Sequence, residues 1–256
     1  MKLLVYGSRG WIGSMFLKEL DEKNIDYIVG EKRAENIDEL ENEIINSKVT
    51  NIISFIGRTH GNIGEKKYTT IDYLEQEGKL KENVRDNLYS PLTIALIAKK
   101  YDIHYAYLGT GCIFEFDENH PFGYSTVKGY TDRLMHLFDN VLNMRIRMPI
   151  TGEMNPRNFI TKIVTYEKIC SIPNSMTVLP IMFPLMIDML KNKTTGTINL
   201  TNPGLISHNE ILEMYKEIVD PSFEWKNFTV EEQNAILASG RSNNFLDTTR
   251  LEELYP

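Results

Sequence analysis

Three groups of residues have types and spacings that could do chemistry. Gly7-Ser-Arg-Gly10-Trp-Ile-Gly13 follows an apolar run, Lys2 to Tyr6, and leads into a helical pattern from about Trp11 to Lys23. Glycines in such a turn let the backbone approach a pyrophosphate, and the unpaired N–H groups around Ser8, Arg9, Trp11 and Ile12 add donors and partial positive charge. The turn therefore points to a dinucleotide; a purely structural turn is the competing reading, and the position after an N-terminal apolar strand weighs against it. At the end of the next strand, Gly30-Glu-Lys-Arg33 carries both signs. Glu31 suits the ribose 2′-hydroxyl of NAD, whereas Lys32 and Arg33, with Arg9, suit the 2′-phosphate of NADP. NADPH is favoured, with a solvated charge cluster as the alternative.

The third group is Tyr124-Ser-Thr-Val-Lys128. Residues four apart share a helix face, so the ammonium can sit beside the phenol and lower its pKa toward working pH. Such a tyrosine can give a proton to a carbonyl being reduced, and Thr110, ending the preceding strand, offers a hydroxyl to the same carbonyl. Alone, the Tyr/Lys pair is more often a surface pair; beside a dinucleotide turn and Thr110 the combination is specific. Asn87 is either a buried link from this lysine to water or a helix-surface residue. Gly57, Arg58, Thr59 and His60 follow the third strand near the expected cofactor edge, His60 being equally open to a structural hydrogen-bonding role.

These residues need a scaffold. Periodicity predicts strands at Lys2 to Tyr6, Ile25 to Val29, Asn51 to Ile56, His104 to Leu108 and Val141 to Arg147. Helices alternate with them near Trp11 to Lys23, Ile37 to Ser47, Asn83 to Tyr101 and Tyr124 to Phe138. Such alternation calls for right-handed crossovers and a parallel sheet, so residues 1–150 read as a Rossmann-like, doubly wound α/β domain. From Pro149 the pattern loosens. Helices near Pro156 to Tyr166, Ile181 to Lys191, Ser207 to Ile218 and Thr229 to Ala238, parted by Pro and Gly breakers, make residues 151–256 a smaller, mostly helical substrate-binding lobe, expected to form one compact unit with residues 1–150.

Composition narrows the partners. The 256 residues carry 28 Lys and Arg against 35 Asp and Glu, a net charge of −7, so no broad basic face is offered to nucleic acid or an anionic membrane. No apolar run approaches the ~20 residues that span a bilayer. Cys112 and Cys170 are the only cysteines, no leader pattern precedes Lys2, and no metal-ligand set emerges; a reducing, cytoplasmic setting is expected. Apolar stripes on the Asn83 to Tyr101 and Tyr124 to Phe138 helices suggest a homodimer, unless they serve only the core.

The Gly7/Gly10/Gly13 turn with Thr110, Tyr124 and Lys128 resembles the extended short-chain dehydrogenase/reductase family, whose members act on nucleotide sugars. Longer runs sharpen this: Thr110-Gly-Cys-Ile-Phe-Glu115, Arg145-Ile-Arg-Met-Pro-Ile150, Asn155-Pro-Arg-Asn-Phe-Ile-Thr-Lys162, Ile172-Pro-Asn-Ser-Met-Thr177, Thr201-Asn-Pro-Gly204, Ser207-His-Asn-Glu-Ile-Leu212 and Arg241-Ser-Asn-Asn244. Together, over nearly the whole chain, they are similar to the bifunctional UDP-4-keto-6-deoxyglucose 3,5-epimerase/4-keto-reductases of plants and giant viruses. The resemblance implies NADPH-dependent conversion of a UDP-linked 4-keto-6-deoxy sugar to UDP-L-rhamnose. It also gives Cys112 a role, since the C3 and C5 hydrogens are both α to the carbonyl and inversion needs a base on one face and an acid on the other. Cys112 is then the base if positive charge lies near its thiolate, and Lys162 the opposing acid. Without the resemblance, Cys112 reads as a small buried hydrophobe and Lys162 as a solvated lysine. Asn158, Arg241 and Asn244 become candidates for the nucleotide diphosphate. Competing readings are a 4-keto-sugar reductase without epimerase activity and a non-catalytic NADP sensor, the latter disfavoured by an intact proton donor.

One feature departs from the pattern. Thr110 and Tyr124 are 14 positions apart, and relatives carry a longer loop between the His120-Pro121 pair and the tyrosine, with a second shortening near Leu179-Pro180. Either the loops are trimmed or mobile segments are missing from the sequence; the intact flanking motifs favour omission.

Overall fold

The computed structural model describes residues 1–113, 123–236 and 243–256. The chain opens with β1 (Leu3–Tyr6), α1 (Trp11–Glu22), β2 (Tyr27–Val29), α2 (Ile37–Ser47) and β3 (Asn51–Ser54). A hairpin, β4 (Gly61–Ile63) and β5 (Lys66–Tyr68), leads to α3 (Leu80–Val84), a π-helical turn over Arg85–Tyr89 and α4 (Ser90–Lys100). Next come β6 (His104–Thr110), α5 (Tyr124–Met135), β7 (Val141–Ile146), β8 (Pro149–Ile150), α6 (Phe159–Ile163), β9 (Lys168–Ile169) and β10 (Thr177–Val178). The remainder is α7 (Leu179–Lys191), β11 (Gly196–Asn199), α8 (His208–Ile218), β12 (Lys226–Asn227), α9 (Val230–Ile236) and α10 (Thr249–Leu254).

Six strands form a parallel sheet in the order β11-β7-β6-β3-β1-β2. Both faces are covered, and successive residues of β1 show why its sequence is continuously apolar. Leu3 and Val5 enter one core with α1 and α7, while Leu4 and Tyr6 enter the other with α2 and α4; side chains alternate across a strand, and a sheet covered twice needs apolar residues at every position. This is the doubly wound architecture expected. The chain steps from β1 to β2 on one side and returns to β3 on the other, so the order reverses at the carboxyl ends of β1 and β3. A crevice opens at such a reversal.

The boundary read at residue 150 is crossed in space. β11 is the sixth sheet strand, pairing Gly196–Asn199 with Leu142–Arg145, and Leu179, Met186, Leu190 and Leu251 join the sheet core. Gly-Thr-Ile-Asn is too short and polar to announce a strand; it is one because β7 presents an open edge. A separate small core of Ile163, Ile169, Met176, Ile211 and Leu212, with Phe223 and Trp225 against it, belongs to α6, α8 and the short strands around them. Among the described residues no helix is long and apolar enough to cross a membrane.

Candidate active site

The crevice at the β1/β3 reversal is a cleft of about 270 Å³ floored by the glycine turn. Gly7 has φ +73°, and a Cβ there would lie 2.7 Å from the Phe55 carbonyl carbon and 2.8 Å from the Ile56 nitrogen; one on Gly13 would strike the Gly7 oxygen. Turn, helix and β3 are thus packed backbone to backbone, which leaves a cradle only glycines permit. Gly10 caps α1 in extended conformation without a side-chain cap, so the first N–H groups of the helix lack intrahelical partners, an arrangement suited to an anion. Trp11 and Ile12 pack their partly buried side chains against the sheet core.

The β2 end of the cleft holds the charges noted above. Glu43, from α2, accepts from the backbone N–H of Glu31 (2.9 Å) and Lys32 (3.3 Å), fixing the loop that carries Arg33. Arg33 is exposed and donates to Glu35 at 3.0 Å; Arg9 is exposed at the turn, and Gly57 and Ser8 line the cleft with it. Asn87 does not reach toward Lys128. Its amide clamps the backbone of Arg58, accepting from Arg58 N (3.0 Å) and donating to Arg58 O (2.9 Å), while Arg58 Nε meets Asp86 at 2.5 Å. Asn87 and Asp86 both lie on the π-helical turn, a local widening frequent at functional sites.

The second cluster sits where β6, α5 and β7 meet. Thr110 hydrogen-bonds the Tyr124 phenol and accepts from Cys112 N–H at 3.0 Å. Tyr124 is buried, and burial first, then the neighbouring Cys112, pushes its phenol above its ordinary range, against the Thr110 bond. The expectation that Lys128 lowers the phenol is not met. Lys128 shares the helix face, but its long stem carries Nζ to the Tyr107 hydroxyl on β6, with the ammonium 4.7 Å from that ring's centroid. Burial brings Lys128 down to about 8, partly opposed by Asp132. Tyr124 is therefore held as the protonated phenol, the form a proton donor needs.

Two residues absent from the sequence reading complete this corner. Glu75 accepts from Tyr124 N–H at 2.9 Å and so caps α5 at the tyrosine itself. Arg147, 2% exposed, donates from Nη1 to Cys112 Sγ at 3.3 Å and from Nε and Nη2 to Asn174 Oδ1 at 3.2 and 2.6 Å. The β6/β7 register, Thr110 opposite Ile146, brings their following residues together across 35 positions of chain. An arginine thus lies against the Cys112 sulfur; its only sequence signal is the Arg145 to Ile150 run.

The lobe residues divide. Asn158 caps α6, accepting from Ile160 N (3.2 Å) and donating to the Thr151 and Glu153 carbonyls (2.8 Å each). It is buried and engaged with backbone, which corrects its reading as a diphosphate ligand and makes it the residue that positions α6. Lys162, half-buried on α6, and Arg157 approach His60, whose Nε2 lies 2.7 Å from Arg157 Nη2. Burial first, then Arg157, Arg58, Lys162 and Lys67 in turn, keep His60 below its ordinary range, so several cations converge on one neutral imidazole. Asn244 donates to Gly111 O at 2.9 Å, and its Oδ1 is buried without a hydrogen-bond partner among the described residues. Arg241 and the His120-Pro121 pair lie outside the described residues.

No family model matches the chain. It is 56% identical to protein L780 of Acanthamoeba polyphaga mimivirus, over 100% of this chain and 93% of that one. That alignment spans 273 positions against 256 residues here, so L780 has residues without counterparts in this sequence. An Arabidopsis thaliana bifunctional dTDP-4-dehydrorhamnose 3,5-epimerase/dTDP-4-dehydrorhamnose reductase is 39% identical over 99% of this chain and 87% of its own length. Among solved structures, the L780 UDP-rhamnose synthase superposes with a TM-score of 0.93 at 53% identity, covering 100% of this chain and 94% of the other. A Bacillus anthracis dTDP-4-dehydrorhamnose reductase solved with NADP, at 15% identity and TM-score 0.77 over 99% and 92%, shares the fold.

Proposed function

This chain belongs to the family of bifunctional 3,5-epimerase/4-keto-reductases of nucleotide-linked deoxy sugars, and from that premise we propose that it converts UDP-4-keto-6-deoxyglucose to UDP-L-rhamnose with NADPH. The observation that carries the reading is the Cys112 sulfur set beside the Thr110–Tyr124 pair, a base next to an oxyanion-stabilising hydroxyl. A plain reductase has no use for it.

Thr110 and Tyr124 hold the C4 carbonyl oxygen. Cys112 removes the proton from C5 or C3, the negative charge passes to that oxygen and is met by the Tyr124 hydroxyl, and Lys162 returns a proton from the opposite face. The same stabiliser serves both carbons because both flank the carbonyl. When bound, the reduced nicotinamide supplies the hydride that C4 receives. Tyr124, protonated through its burial, then gives its proton to the C4 oxygen, and Lys128, one turn further along α5, keeps positive charge under that end of the site. Gly7, Ser8, Gly10, Gly13 and the amides of Trp11 and Ile12 hold the pyrophosphate of the dinucleotide. Arg33, with Arg9 and Lys32, would favour the 2′-phosphate of NADPH over NAD, and Gly57 would line the cofactor's cleft beside Ser8. Arg157, beside His60, with Arg241 and Asn244, seats the uridine diphosphate.

Residues 1–150 supply the cofactor side, and the lobe within 151–256 closes on the nucleotide. The chain works in the cytoplasm as a homodimer through α4 and α5, where Leu96 and Tyr130 and, just before α4 and just beyond α5, Tyr89 and Leu137 are exposed. Product analysis with UDP-4-keto-6-deoxyglucose, with and without NADPH, tests the assignment. UDP-L-rhamnose is expected with NADPH, and solvent deuterium at C3 and C5 without it. Absence of NADPH oxidation overturns the proposal, and oxidation of NADPH only with an already epimerised sugar restricts it to a reductase.

A further inference from the structure

We propose that Arg147 is the positioning residue of the epimerisation half-reaction, holding the Cys112 sulfur in place and supplying the counter-charge when its proton has left. This rests on the reading of Cys112 as the base. A guanidinium 2% exposed must be hydrogen-bonded to be tolerated in the interior. Among the described residues its fork is divided: two N–H groups go to the Asn174 amide oxygen and Nη1 goes to the sulfur at 3.3 Å. Arg145, two residues earlier and still within β7, is used differently, as a two-point partner of the Asp132 carboxylate at 2.8 and 2.5 Å.

The loop that carries the sulfur is fixed from several sides. Cys112 N–H is bonded to Thr110, Gly111 N–H to the Ile146 carbonyl at 2.9 Å, and the Gly111 carbonyl to Asn244. A Cβ on Gly111 would lie 2.5 Å from Leu246. Asn174 Oδ1 also accepts from Asn244 N–H at 3.1 Å, so the residue that locks Arg147 locks the far side of the same loop. Sulfur and guanidinium are held in one frame built from β6, β7 and the Asn174 and Asn244 segments.

The chemistry balances without a further reactant. As the C–H bond at C3 or C5 breaks, an S–H bond forms on Cys112 and the electron pair moves to the C4 oxygen. Lys162 donates a proton to the opposite face, and between the two inversions the thiol returns its proton to water and Lys162 regains one. Arg147 transfers no proton. It stabilises the anionic sulfur through a charge-assisted hydrogen bond and keeps it aimed at the carbon.

Arg147→Met and Arg147→Lys test this, beside Cys112→Ala. Deuterium entry at C3 and C5 without NADPH reports epimerisation, and NADPH oxidation with the already epimerised 4-keto sugar reports reduction. Arg147→Met is expected to slow exchange at least about tenfold while reduction stays within about threefold, with Arg147→Lys recovering part of the exchange. In a Cys170→Ala background, iodoacetamide should alkylate Cys112 more slowly in Arg147→Met than in Arg147→Lys. Exchange at the parent rate in Arg147→Met overturns the proposal, as does equal loss of both half-reactions with no recovery in Arg147→Lys, the mark of a structural role only. If Cys112→Ala itself exchanges normally, it is the assignment of the base that fails.

Discussion

Replacing Tyr107 by Phe removes one oxygen from the floor of the site and leaves the ring. In the parent, the Lys128 ammonium is buried, bonded to the Tyr107 hydroxyl and near the ring face, and burial has already brought it from 10.5 to about 8. A hydrogen bond to a charged group contributes about 1.5–3 kcal/mol, so its loss should lower Lys128 by about one further unit or more, at about 1.4 kcal/mol per unit. If reduction needs charged Lys128, kcat/KM should fall on the alkaline side through about 8 in the parent and about one unit lower in Tyr107→Phe. The variant would then lose about half of its rate at neutral pH and about tenfold above pH 9. NADPH oxidation followed across pH gives both curves, and an unmoved alkaline limb would refute the role assigned to Lys128. Thermal unfolding supplies a second reading with its own sign. Because burial lowers Lys128 below its unfolded value, the unfolded chain binds the proton more tightly between about 8 and 10.5, and Lys128 makes stability rise with pH over that window.

Gly13→Ala should weaken NADPH binding by at least about tenfold, measured by titration calorimetry, because its Cβ would strike the Gly7 carbonyl and open the cradle; unchanged affinity would show that the turn is not where the pyrophosphate lies. Arg33→Ala should reduce the NADPH-over-NADH ratio of kcat/KM by about tenfold with little change in the NADH value, and an unaltered ratio would remove Arg33 from the 2′-phosphate site. Asn158→Ala should lower Tm by about 2–4 °C, a lost cap contributing about 1 kcal/mol. A large rise in the sugar-nucleotide KM with no change in Tm would restore Asn158 as a ligand.

Local requirements are written locally. Leu3 to Tyr6 announces a strand covered on both faces, and Gly7, Gly10 and Gly13 announce a close-packed turn, because backbone freedom and the free N–H groups of a helix start depend on neighbours within a few positions. Tyr124 and Lys128 could be placed on one helix face for the same reason. The direction in which Lys128 extends could not, since its partner, Tyr107, is 21 residues away on another element. Asn158 became a ligand candidate through the resemblance and its place in the second lobe, and only the folded 151–160 segment shows that backbone engages it. β11 became a strand through the open edge of β7. Cys112 is the sharpest case. By itself it reads as a small buried hydrophobe and only the family resemblance raised the possibility of a base, but the cation beside it comes from strand pairing, Thr110 against Ile146, and tertiary register is what turns a cysteine and an arginine 35 residues apart into one site.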